Sequence, residues 1–378
     1  MAGGSAERIP LSRPAIGERE EALVLEVLRS GRLSLGPMLH EFERRFAGLL
    51  GVPVEHTAAV ASGTAGLHLA IRAAGVRAGD EVITSPLSFV ASANCLLYEG
   101  ARPVFCDIDR RTLNLDPLAA EAAVTPHTTG LLPVHIFGYP AAMALFENLA
   151  RRRGLWIVED ACEALGAVHG DGRPVGTRGN LAVFGFYPNK QLTTGEGGMV
   201  VCRDFADQQR IVSERNQGRA PNMDWLDHDR LGFNYRLSDI ACAIGVAQCE
   251  RAGELVRARA AAAALYNQAL ADMEDLELPC PDEGGDRRSW FVYVVQLPPY
   301  VDRDAAVVKL GRQGIETKPY LPAIHLMSFY RERFGWRAGQ FPVCEDVSRR
   351  SLALPFFPGI SESQIARVAE ALANLLPA

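Results

Sequence analysis

No C-x-x-C pair occurs among the eight cysteines of this 378-residue chain, so the spacing that marks a zinc site or a dithiol redox motif is missing. Cys95, Cys106, Cys162, Cys202, Cys242, Cys249, Cys280 and Cys344 are scattered, most of them among apolar residues, as buried free thiols are. No apolar run is long enough to span a bilayer, and MAGGSAERIP lacks the charged region followed by an apolar stretch that a secretory leader needs. The expectation is a cytoplasmic protein. No G-x-x-x-x-G-K-[ST] loop, H-E-x-x-H helix or G-x-S-x-G elbow is present. The glycines of HGDGRPVGTRG follow no strand that opens a helix, which makes a nicotinamide-dependent dehydrogenase a poor fit. Positive charge is short as well: a formal net charge of -6 argues against a nucleic-acid or anionic-membrane partner. No metal site is expected.

What is present suits a large globular protein. Hydrophobic residues make up 48% and charged residues 22% of the chain, enough for a sizeable core, and the length favours two domains. EREEALVLEVLRS and MLHEFERRFAGLLG carry helical periodicity on either side of SGRLSLGP, a connection that could also face a substrate. Short apolar runs then alternate with helical ones: AAVA, DEVITSP, ARPVFCDID, GLLPVHIFG and LWIVEDA as strands, with SFVASANCLLYEG and MALFENLARRRG among the helices. That alternation predicts an α/β fold whose mostly parallel sheet is covered on both faces, with ligands at the carboxyl ends of the strands. An alanine-rich helical region from about Ser238 carries the chain toward a region of different texture. There SWFVYVVQL reads as a strand, DRDAAVVKLGRQG as a helix, IETKPYLPAIHL as extended, and SESQIARVAEALANLL as a closing helix. Residues 1–250 are expected to form the large domain and 251–378 a smaller α+β domain.

The candidate chemistry centres on AVFGFYPNKQLTTGEGGMVV. Lys190 stands between the aromatic Phe184, Phe186 and Tyr187 and a turn of Thr193, Thr194, Gly195, Glu196, Gly197 and Gly198. Partial desolvation among such groups favours the nucleophilic amine that a Schiff base needs. Asp160 closes the strand LWIVED, where a carboxylate either caps a turn or faces a positively charged ring nitrogen. Ser62, Gly63 and Thr64 open a helix whose free N–H groups suit phosphate or serve as a plain cap. Asn234 and Arg236 stand in the NYR triplet. His325 reads either as a structural histidine or, with Lys318 and Tyr320, as a residue that reaches the site.

ASGTAGLHLAI, the S-F-V-A-S-A-N run, PVFCDID, PVHIFG, VEDACEALGA, FYPNKQLTTGEGG and GFNYRLSDI, in that order, resemble the DegT/DnrJ/EryC1/StrS family of sugar aminotransferases. The family lies within the fold-type I, aspartate aminotransferase-like enzymes that use pyridoxal 5'-phosphate. The resemblance covers roughly residues 10–375. It implies a seven-stranded-type sheet in the large domain, and a homodimer with shared active sites. It also implies a ping-pong transfer from L-glutamate, through pyridoxamine 5'-phosphate, to a keto sugar nucleotide, with a lean toward a nucleoside-diphosphate 4-keto-6-deoxyhexose. The products of such enzymes enter polysaccharides or glycosylated natural products.

By the same resemblance Lys190 holds the cofactor and shuttles a proton, Asp160 pairs with the pyridine nitrogen, and Phe89 stacks on the ring. Gly63 and Thr64 hold the phosphate, Asn234 reaches the cofactor phosphate of the other subunit, and Arg236 is a candidate for the donor carboxylate. Two positions depart from the family pattern: Gly185 replaces a frequent serine phosphate ligand, and Glu163 stands where glutamine or histidine is frequent. A carboxylate beside the ring's phenolic oxygen would be repelled, so Glu163 is expected to be neutral or swung outward. Lys190 argues against the related 3-dehydratases, in which histidine occupies that position. An aminocyclitol (keto-inositol) aminotransferase and a non-catalytic cofactor-binding regulatory relative remain as alternatives.

Overall fold

The computed structural model describes residues 8–220 and 227–376; part of the N-terminal reading, and part of the polar loop expected before residue 229, fall outside them. Seven strands build the main sheet: β1 (Thr57–Val60), β2 (Glu81–Thr84), β3 (Arg102–Phe105), β4 (Thr128–Leu132), β5 (Trp156–Asp160), β6 (Leu181–Gly185) and β7 (Gly198–Cys202). Their order is β1-β7-β6-β5-β4-β2-β3. β7 runs against both neighbours while the other pairings are parallel, so the sheet is α/β and mostly parallel as the alternation predicts.

Strand side chains alternate between two covered faces. Ala58, Val60, Val82, Leu132, Val158, Val183 and Val200 meet Leu67, Ala70 and Ile71 of the Gly63–Ala73 helix and Leu96 of the Ala91–Tyr98 helix. On the other face, Ala59, Ala182, Phe184, Met199 and Val201 meet Phe42 and Phe46 of the Pro37–Leu50 helix and Val246 of the Asp239–Glu250 helix. Farther along the same face, Ile83, Leu131 and Ile157 pack on Phe146 and Leu149. Burial on both faces explains why these strands read as continuous apolar runs.

A second, antiparallel sheet contains β8 (Tyr293–Gln296), β9 (Lys318–Pro319) and β10 (Ser351–Leu354) in the order β8-β10-β9. Its core joins Tyr293, Val295 and Leu352 to Tyr266, Leu310, Ile365 and Val368. The alanine-rich region is two helices, Asp239–Glu250 and Ala252–Ala269, because Arg251 (φ -117, ψ 16) leaves the helical conformation. Two further expected spans shorten. SFVASANCLLYEG is helical only over Ala91–Tyr98, after a loop that carries Phe89, and SWFVYVVQL is strand only over Tyr293–Gln296. All eight cysteines are free, and six are buried. Among the described residues no helix is long and apolar enough to cross a membrane, and no cluster of His, Cys, Asp and Glu could hold a metal.

Candidate active site

The carboxyl ends of β1, β2, β5 and β6 share one rim, where four loops bring together Gly63, Phe89, Asp160 and Lys190. β7, being antiparallel, starts at that rim, with Gly198 opposite Val60 on one side and Gly185 on the other. A Cβ on Gly198 would lie 2.7 Å from the Ser62 carbonyl oxygen and 2.9 Å from the Gly63 nitrogen, so only glycine lets the Gly63–Ala73 helix start this close to the sheet. Ser62 caps that helix by accepting from Ala65 N–H. The N–H groups of Gly63 and Thr64 and the Thr64 hydroxyl have no partner among the described residues, and both residues are half-buried. This is a set of free donors at a helix N-terminus, the arrangement that suits an anion. A Cβ on Gly63 would meet the Cys162 sulfur at 3.1 Å and Gly185 Cα at 3.4 Å, so the floor of the cradle is glycine and one thiol. Burial, and then the Asp160 charge, push that thiol well above its ordinary pKa, which keeps it neutral.

Asp160 ends β5 and is buried. Its Oδ2 accepts from Ser92 Oγ at 2.6 Å and its Oδ1 from Cys162 N–H at 3.1 Å, while Ser88 and Ser92 hydroxyls lie 2.7 Å apart. One residue earlier and on the opposite face, Glu159 accepts from His135 Nε2 at 3.0 Å and from the N–H groups of Gly176, Arg178 and Gly179. Burial pushes the Glu159 carboxyl up, yet the hydrogen bond and charge of His135 and those N–H groups outweigh it, holding its pKa below the usual value. The end of β5 is therefore braced on both faces.

Lys190 lies in a tight excursion between β6 and β7. Lys190 N–H donates to Tyr187 O at 2.9 Å, Phe186 N–H to Gly197 O at 2.9 Å, and Thr193 Oγ1 to Phe186 O at 3.1 Å. The expected aromatic surroundings differ in identity. Phe184 and Phe186 turn into the core against Phe42 and Phe46, and Tyr187 is exposed; the ring under Lys190 Nζ, 3.9 Å to its centroid, is Phe291. Strand alternation and the hydrophobic core draw the two phenylalanines away.

Glu163 is turned inward, which removes the outward alternative. Its Oε1 lies 3.5 Å from Lys190 Nζ and its Oε2 accepts from Phe137 N–H at 2.9 Å. Burial raises its pKa above the usual carboxylate value, opposed by the Lys190 charge and that N–H.

The remaining candidates spread out. Tyr320 packs against Phe137 and Phe291, with ring centroids 5.8 and 6.1 Å away, and burial followed by the Glu163 charge raises its pKa. Phe89 is exposed, as is Asn234. Arg236 donates to Asn216 Oδ1 at 3.0 Å, and the adjacent Tyr235 carbonyl accepts from Ala61 N–H at the end of β1. His325 and Lys318 are not brought to Lys190. His325 is fully buried, with Nε2 3.0 Å from Glu345 Oε1 and its ring against Phe341; Lys318 is exposed on β9. A cleft of 710 Å³ opens at the opposite rim, by Leu155, Ile157 and Leu181; Gly176, Arg178 and Gly179, which hold Glu159, line it, but Lys190, Asp160, Gly63 and Phe89 do not.

Sequence reading singled out neither Phe291 nor Ser92 by role. Ser92 stood inside the quoted S-F-V-A-S-A-N run; the loop before the Ala91–Tyr98 helix, not a helical repeat, brings Ser88 to its hydroxyl. Phe291 stood in a strand-like run, and nothing local links it to Lys190.

The family model of the DegT/DnrJ/EryC1/StrS aminotransferases matches residues 14–373. The chain belongs to that family. The family is one of pyridoxal-phosphate-dependent aminotransferases, and this chain is a sugar aminotransferase. It is 35% identical to the spore coat polysaccharide biosynthesis protein SpsC of Bacillus subtilis (strain 168), over 97% of each chain. The aminotransferase TlmJ from Streptoalloteichus hindustanus superposes with a TM-score of 0.91 at 34% identity, covering 98% of this chain and 100% of TlmJ. DesI, solved in the presence of its TDP-sugar product, superposes at 0.87 with 33% identity, covering 97% of this chain and 92% of DesI. The family and the fold thus agree with the motif order.

Proposed function

We propose that this aminotransferase moves the amino group of L-glutamate to the keto carbon of a nucleoside-diphosphate sugar, of the 4-keto-6-deoxyhexose kind, for polysaccharide or glycosylated natural-product synthesis. The observation that carries the reading is the convergence of Lys190, Asp160 and the unpartnered donors of Gly63 and Thr64 on one rim. DesI, whose own product is a TDP-sugar, supports the acceptor class. Pyridoxal phosphate, when bound, supplies an electron sink beside the reacting carbon and carries the amino group from donor to acceptor.

Each residue then has a task. The N–H groups of Gly63 and Thr64, with the Thr64 hydroxyl, bind the phosphate; Gly185 offers no side chain, so backbone donors carry more of the load. Asp160, held by Ser92 and Cys162 N–H, offers a fixed carboxylate to a protonated ring nitrogen. Phe89 covers one ring face. Lys190 holds the cofactor and, once displaced, removes and returns the proton on the substrate carbon. Glu163, as a neutral acid, donates toward the phenolic oxygen instead of repelling it. Arg236 binds the glutamate carboxylate. Glutamate leaves as 2-oxoglutarate before the keto sugar enters, and a partner subunit completes the site with its Asn234.

The test is transfer of ¹⁵N. Loaded enzyme with labelled glutamate alone releases 2-oxoglutarate in one turnover; a panel of keto sugar nucleotides plus a keto-inositol then restores turnover. Label in a nucleotide-linked sugar supports the proposal. Label confined to the inositol, or no 2-oxoglutarate at all, overturns it.

A further inference from the structure

One buried cation in the neighbourhood of Lys190 has no counter-ion. Arg259 stands in the middle of the Ala252–Ala269 helix, 2% exposed, and no carboxylate pairs with it among the described residues. Its Nη2 donates to the carbonyl oxygens of Lys190 at 2.8 Å and Asn189 at 3.1 Å, and its Nη1 to that of Phe291 at 3.0 Å. Phe291 is the residue whose ring lies under Lys190 Nζ. One guanidinium therefore ties the backbone of the lysine and the backbone of the lysine's aromatic floor to a single helix.

Leu255, Arg259, Ala262, Ala263 and Tyr266 share the buried face of that helix. An apolar residue there would fill the volume without the cost of burying a charge, which for a lone ion is severe and here lowers the guanidinium pKa to about 10. What an apolar residue lacks is a planar fork of donors that meets carbonyls from two segments at once. We propose that Arg259 is a positioning residue for Lys190: it fixes the 189–190 backbone against Phe291 and so sets where the ammonium or amine is presented. The lysine's role rests on the function proposed above, whereas the clamp itself does not.

Arg259→Met keeps the volume and removes the donors; Arg259→Lys keeps the charge with a reach to fewer carbonyls. Hydrogen exchange on the cofactor-free protein reads the clamp directly. Amides of residues 187–192 should exchange about tenfold or more faster in Arg259→Met, the loss expected from charge-assisted hydrogen bonds, with Arg259→Lys intermediate. Amides of β10 and of the Glu362–Ala373 helix should stay at wild-type rates. At equal total bound pyridoxal phosphate, borohydride should fix a correspondingly smaller fraction to the Lys190 peptide. Equal acceleration across the small domain, or wild-type exchange at 187–192 in both variants, overturns the proposal. If the wild-type protein fixes no cofactor, the function proposed above fails, and the exchange comparison still decides the role of Arg259.

Discussion

Glu163 is the residue at which this chain departs most sharply in charge from what the resemblance leads one to expect. Buried 3.5 Å from Lys190 with a raised pKa, it binds its proton more tightly in the folded chain than in the unfolded one. Stability must then fall as pH rises from the ordinary carboxylate range, near 4.5, and level off once the raised value is passed. Glu163→Gln removes that dependence. Urea denaturation of cofactor-free wild type and variant from pH 4 to pH 8 should show the variant gaining on the wild type across the lower part of that range, then holding a constant lead; a difference independent of pH would refute the assignment. Ser92 gives a second residue-scale case. Its hydroxyl satisfies a buried oxygen of Asp160 at 2.6 Å, so Ser92→Ala should cost about 1–3 kcal/mol in the same denaturation, and Ser88→Ala, one bond farther out, less. Lys190 and Asp160 were legible because their residue types and their places in ordered motifs carry the signal. Phe291 and Arg259 were not, because their meaning lies in pairings about seventy to a hundred positions away in sequence.

At the scale of elements, the rim depends on how closely the Gly63–Ala73 helix approaches β7. Gly198→Ala would push its Cβ onto the Ser62 carbonyl and the Gly63 nitrogen, all backbone, and neither can yield without shifting the helix start. Gly48, by contrast, is an exposed glycine inside the Pro37–Leu50 helix with nothing within 4 Å of an added Cβ. Thermal unfolding of the cofactor-free protein should show Gly198→Ala destabilised by about 1–3 kcal/mol, and Gly48→Ala stabilised by about 0.5–1 kcal/mol. Isothermal titration with pyridoxal phosphate should then register weaker binding for Gly198→Ala alone. Equal affinities would mean that the helix start does not set the phosphate site. The strands of the parallel sheet were readable from their apolar runs since both faces are covered. β6 and β7 were hidden inside the lysine stretch because their apolar residues flank a functional turn, and the Pro117–Ala122, Ser328–Phe334 and Pro342–Arg350 helices are too short for a clear period.

For the whole molecule, the question is what covers the rim. Phe89 and Tyr187 are more than half exposed beside the candidate site, and Leu33 and Leu35 are exposed on the loop whose Ser34 pairs with Ser238. Apolar side chains around a polar site suit a subunit contact, and the proposed homodimer gives them a partner. If the partner subunit's Asn234 serves each phosphate, two inactive variants must complement. In a heterodimer of Lys190→Ala with Asn234→Ala, one site carries both defects and the other carries neither. Random reassortment of an equal mixture, half of it heterodimers with one intact site in two, should therefore recover about a quarter of wild-type activity under the symmetry of a two-fold dimer. If Asn234 instead acts within its own chain, every site in the mixture keeps one defect and no activity returns. Measuring turnover after unfolding and refolding the two variants together, with each refolded alone as the baseline, separates the two arrangements in one experiment.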